Sequence, residues 1–118
     1  MLKYEGKTFK WGYELDRDVG EKIVGIKLLL DTEQERPWYN RRGSAATQAE
    51  LKKLGKPPIE VAADYIGAMY QHAIKNIESK HPNGYVSMLD KQFVLSVPAV
   101  WSDKAKDTTL RVSANPSV

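Results

Sequence analysis

The side chains with chemistry to offer are few. They are two histidines (His72, His81), a carboxylate pair (Glu60, Asp64) and one arginine-aromatic run, Arg36-Pro37-Trp38-Tyr39-Asn40-Arg41-Arg42-Gly43. His72 falls inside an apolar-periodic stretch and His81 in the turn that follows, so the two do not share a face at metal-ligand spacing. Both read as exposed histidines, and no metal site is expected. Glu60 and Asp64 stand four apart on a polar helix face, a spacing that lets two carboxylates divide acid and base roles only beside an apolar pocket or a nucleophile. The surrounding sequence supplies neither, and a solvated face is the expectation. Eight glycines never fall into the spacing of a phosphate loop, whose converging amides hold an anion at a helix N-terminus. With no cysteine there is no thiolate nucleophile, disulfide or cysteine-based zinc site. No catalytic, metal-ligating or cofactor-binding residue is expected.

The arginine-aromatic run has more to recommend it. Arg36, Arg41 and Arg42 would neutralise phosphates, while Trp38 and Tyr39 would stack on bases, which makes these five residues a candidate interaction loop. Charge elsewhere argues against nucleic acid. The chain carries 18 Lys and Arg against 15 Asp and Glu, a formal +3 with both signs interspersed, so no basic track continues from the loop.

These residues must be positioned by a single small unit. A chain of 118 residues fits one core, and a hydrophobic fraction of 42% with 28% charged residues is that of a globular chain. No apolar stretch approaches the roughly 20 residues of a membrane helix, and Met1-Leu2-Lys3-Tyr4-Glu5 lacks the apolar run of a signal peptide, so a cytoplasmic location without membrane contact is expected. Residues 2–11 alternate large and charged side chains around Gly6, the pattern of a short hairpin. Residues 23–30 form an apolar block that is buried, whether as helix or strand. Residues 31–44, with Pro37 and Gly43, read as a loop, and 45–54 as a modest helix closed by Gly55.

Pro57-Pro58 opens the strongest element, a helix expected to reach about Lys80. Proline suits a first turn and Glu60 complements the dipole there. Ile59, Ala62, Ala63, Ile66, Met69, Tyr70, Ala73, Ile74 and Ile77 recur at helical steps. Phe93-Val94-Leu95-Ser96-Val97 reads as a strand buried on both faces and stopped by Pro98. Ser102 then caps a helix running to about Ser113. Hairpin, long helix, buried strand and C-terminal helix make an α/β (α+β) fold class.

Four separated segments resemble the nucleotide-binding domain of Hsp70-like proteins, in the divergent group common in filamentous fungi. They are Lys10-Trp11-Gly12-Tyr13-Glu14-Leu15, Ile26-Lys27-Leu28-Leu29-Leu30-Asp31, Pro58-Ile59-Glu60-Val61-Ala62-Ala63-Asp64-Tyr65-Ile66 and Phe93-Val94-Leu95-Ser96-Val97-Pro98-Ala99-Val100-Trp101-Ser102-Asp103-Lys104-Ala105-Lys106. The last is the most specific: a strand ending in Val-Pro-Ala, an aromatic, a capping Ser, an Asp and a helix.

The resemblance implies an actin-like, ribonuclease H-like ATPase lobe and a single partial domain. Residues 1–91 would belong to the outer subdomain of the first lobe, and 92–118 would be the return strand and helix of the inner one. Full-length relatives use ATP and magnesium to hold and release protein clients, with co-chaperones as partners. The family's Asp-Gly-Thr-Thr phosphate turn has no counterpart here, and its active-site lysine would fall where Leu15, Asp16 and Arg17 stand. The second phosphate loop, the catalytic Glu and the metal-side Asp have no counterpart either. The expectation is a truncated nucleotide-binding domain without ATPase activity or a cofactor of its own.

Pro98 corresponds to a family proline implied to move with nucleotide state and to signal through the basic residue of the next helix, here Lys106. Read on its own, Pro98 ends a strand, and in a chain with no nucleotide to sense this second reading is the expectation. The alternative function is a non-catalytic protein-interaction module, with self-association through the strand at 93–97 if nothing covers its edge.

Overall fold

The computed structural model describes residues 1–15, 22–31 and 41–114, with the side chains of 41–44 outside the description. It is a small mixed α/β arrangement: strands β1 (Leu2–Glu5) and β2 (Thr8–Trp11), then helices α1 (Arg41–Leu54), α2 (Pro58–Glu78) and α3 (Asp103–Ser113).

Alternation in the first eleven residues does what it promises. β1 and β2 pair antiparallel with Leu2 opposite Trp11 and Tyr4 opposite Phe9, which sets these four side chains on one face. Gly6 takes φ +66 as the first of two turn residues, a conformation open to glycine and suited to a two-residue hairpin. The other edge of β1 is touched once: Leu2 and Ile23 exchange backbone hydrogen bonds of 3.1 and 2.8 Å. The apolar block from Ile23 thus enters as a single bridge and then coils into a 3-10 turn, Ile26–Leu29.

α1 begins at Arg41, four residues before the expected start, so Arg41 and Arg42 belong to its first turn rather than to a loop. Arg and Ala favour helix, and Gly43 and Ser44 sit near the end of the helix, where their cost is small. Gly55 closes it with φ +65, as expected. Thr47 staples this helix to the bridge strand, its buried hydroxyl donating to the Val24 carbonyl at 3.0 Å.

α2 starts at Pro58, with Pro57 at the N-cap and Glu60 in the first turn. Its buried residues, Val61, Ala62, Ala63 and Gly67, all lie in its first half. Val61 packs with Leu2, Ile23, Leu29 and Leu51 in one cluster, and Ala62 and Ala63 pack with Val112 of α3 in a second; Ile26 touches both. Beyond Gly67 the apolar stripe runs into solvent: Met69 and Ile77 are exposed.

The expectation of a strand buried on both faces at 93–97 is corrected. No ladder forms between Met88 and Pro98, and Phe93 and Val94 are 58% and 94% exposed. The composition is that of a strand, but a strand requires a partner, and the hairpin strands pair with each other, with β1 bridged once to Ile23 and not to 93–97. Among the described residues β2 pairs only with β1, and its outer edge does not take up 93–97 either. The radius of gyration, 16.1 Å, exceeds the roughly 13.5 Å of a compact domain of this length, in line with the uncovered apolar surface.

Candidate functional site

The surface with most to offer is built from 93–97 and what lies beside it. Seven consecutive residues, 91–97, make no backbone hydrogen bond through their N–H groups. Water satisfies such groups while they are exposed, and another strand could replace it. Two cavities adjoin the segment. One, of about 340 Å³, lies against the 3-10 turn and α2; the other, of about 360 Å³, lies against α3 and is lined by Leu95, Val97 and Lys106.

Two side chains tie this segment to the body. Lys27 donates from Nζ to the Ser96 carbonyl at 3.2 Å and lies over the Trp101 ring at 5.9 Å, while Phe93 stacks at a tilt on Tyr70 with centroids 5.5 Å apart. The residues that follow are better anchored. Trp101 is buried, and Asp31, 2% exposed, accepts from the Ser102 N–H at 3.4 Å and from its hydroxyl at 3.5 Å. Ser102 Oγ in turn accepts from the Ala105 N–H, capping α3 as its sequence foretells.

A second polar cluster joins the hairpin to α2. The Tyr4 hydroxyl donates to Asp64, Lys56 Nζ reaches the same carboxylate oxygen at 2.7 Å, and that ammonium stands 4.7 Å from the Tyr4 ring centroid. Asp64 is therefore a structural acceptor and no partner of Glu60 in acid–base work. Burial pushes the Tyr4 phenol far above its ordinary value of 10.0, and the hydrogen bond to Asp64 with the negative charges of Asp64 and Glu60 adds to the rise.

A raised phenol holds its proton in the folded state after the unfolded chain has lost it. The resulting stability is complete below about pH 10 and is lost as pH climbs through the alkaline range. Tyr4→Phe should melt lower than wild type at neutral pH, and the two melting curves should converge above about pH 10. Parallel pH profiles of the two proteins would show that Tyr4 is not the group responsible.

The sequence-selected residues are scattered. Pro98 sits at the end of the unladdered segment, where its carbonyl accepts from the Trp101 N–H at 3.1 Å. Lys106, on α3, faces Asp103 at 3.7 Å and makes no bond to Pro98. Arg36, Trp38 and Tyr39 lie outside the described residues, and of Arg41 and Arg42 only the helical backbone is described. His72 is exposed yet packs edge-on against Trp11 at 5.7 Å, and His81 lies against Tyr85 at 4.7 Å. Among the described residues no group of three or more His, Asp or Glu is placed to hold a metal ion, and no helix is long and apolar enough to cross a membrane.

ATP and magnesium, implied by the resemblance, find no matching cluster among the described residues. Among the described residues the acidic donors are dispersed, and no glycine loop opens a helix. Lys27, Asp31 and the Tyr4–Lys56 pair were not signalled by the sequence. Their partners lie at separations of 69, 71 and 60 residues for Lys27–Ser96, Asp31–Ser102 and Tyr4–Asp64, and local pattern carries no trace of such contacts. No protein-family profile, curated protein or solved structure matches the chain.

Proposed function

We propose that the chain is part of the nucleotide-binding lobe of an Hsp70-like, actin-fold ATPase, contributing framework and no catalytic group. The observation that carries this reading is the segment at 93–106: a strand-like apolar run, Val97-Pro98-Ala99, a buried Trp101 and a Ser102-capped helix, in the order the resemblance requires. The unladdered state of 93–97 agrees, because in such a lobe this run lies within a multi-stranded sheet.

Residues that grip the β- and γ-phosphates and magnesium are missing from these 118, and phosphoryl transfer depends on them. Titration of the chain with ATP and magnesium in a calorimeter should give no micromolar binding. A micromolar dissociation constant would place a nucleotide site within the chain and contradict its assignment to the framework. An Asp-Gly-Thr-Thr turn encoded in frame upstream would support the reading.

A second reading has one observation in its favour. The run of unpaired N–H groups on an exposed apolar segment suits strand addition by another polypeptide, which would make the chain an interaction module that uses this edge to associate with itself.

A further inference from the structure

The cavity of about 340 Å³ beside the 93–97 segment falls within the range of small-molecule sites. Its walls are almost wholly apolar. Leu30 and the face of α2 bearing Ala62, Ile66 and Met69 form one side, and Val94 and Leu95 form the other. Among the described residues no carboxylate lines it, and one cation does: Lys27. Among the described residues that ammonium has no carboxylate partner, its contacts being the Ser96 carbonyl and the Trp101 ring. An ammonium has three donors, so donors remain after the bond to Ser96. Tyr65 also lines the cavity, and its hydroxyl has no hydrogen-bond partner.

We infer that this cavity binds an amphipathic organic acid, a medium-chain alkyl carboxylate, with the chain along the α2 face and the carboxylate at Lys27. Charge selects the class: an apolar trough with a single unpaired cation favours an anionic head over a neutral or cationic one. The wall formed by 93–97 is held by few bonds and has room to adjust to the chain. This inference stands apart from the ATPase-lobe reading and does not depend on it.

The test is calorimetric titration of the full chain with decanoate, octanoate and decyltrimethylammonium, with light scattering on the same samples. Decanoate should saturate with a dissociation constant below about 1 mM. Octanoate, two methylenes shorter, should bind about fifteenfold more weakly. Decyltrimethylammonium should bind at least about fivefold more weakly than decanoate, and Lys27→Met, at an exposed position, should lower decanoate affinity by about the same factor. Absence of saturable decanoate binding would overturn the inference, as would equal affinity for the cationic probe or an unchanged Lys27→Met variant. A doubled mass with no decanoate bound would also overturn it, by giving the groove to a second copy.

Discussion

Wild-type protein is expected to show a light-scattering mass that rises above 13.3 kDa with concentration, and Val94→Lys is expected to hold it at the monomer value. Val94 is 94% exposed, so lysine there displaces no packed atom and leaves the fold intact. What the change affects is pairing. An unpaired apolar segment is a template for another strand, and natural sheets protect such edges with a charge, most often lysine. On a two-copy ladder the new ammonium groups would be brought together in apolar surroundings, and the contact would be lost. Wild type that stays monomeric at high concentration would remove the interaction-module reading, and a Val94→Lys protein that still associates would move the contact elsewhere.

Leu2→Ala is expected to destabilise the fold by about 3 kcal/mol, lowering the melting temperature by roughly 10 °C. Leu2 is 1% exposed and holds together more than its size suggests. Its side chain packs in the cluster of Ile23, Leu29, Leu51 and Val61, and its backbone carries the bridge to Ile23. The buried clusters are small, so a cavity at this position has few neighbours able to close it. Val24→Ala, at a half-exposed position beside it, should stay within about 0.5 kcal/mol of wild type. Equal melting temperatures for Leu2→Ala and wild type would show that the hairpin is not docked as described.

Local pattern made much of this fold legible. The hairpin follows from two-residue alternation around Gly6, α2 from Pro57-Pro58 and three- to four-residue steps, and α3 from the Ser102 cap. The start of α1 is not legible in the sequence because Gly43 and Ser44 look like loop residues, yet they cost little within a first turn. The strand at 93–97 failed for a different reason. Val, Leu and Phe describe a surface that suits a sheet, whereas a strand exists only where a partner edge does, and composition says nothing of partners.

The contacts that define the candidate surface were equally hidden. Lys27 could be any solvated lysine until the fold sets it under Ser96 and over Trp101, and Asp31 could be any turn residue until Ser102 reaches it. The polar cluster of Tyr4, Lys56 and Asp64 shows the same thing from the other side: a carboxylate spaced as if for acid–base work is the acceptor that fastens a hairpin to a helix.

The central claim is that 93–97 is a sheet-forming segment with no strand partner of its own. Amide hydrogen exchange followed residue by residue tests it most directly. In dilute solution the N–H groups of residues 91–97 should exchange as fast as those of an unfolded peptide, while Val61, Ala62 and Ala63 of α2 are protected. As concentration rises, protection should appear at 93–97 in wild type and not in Val94→Lys. Strong protection of 93–97 in the dilute monomer would mean that the chain already pairs this segment, and would contradict the account.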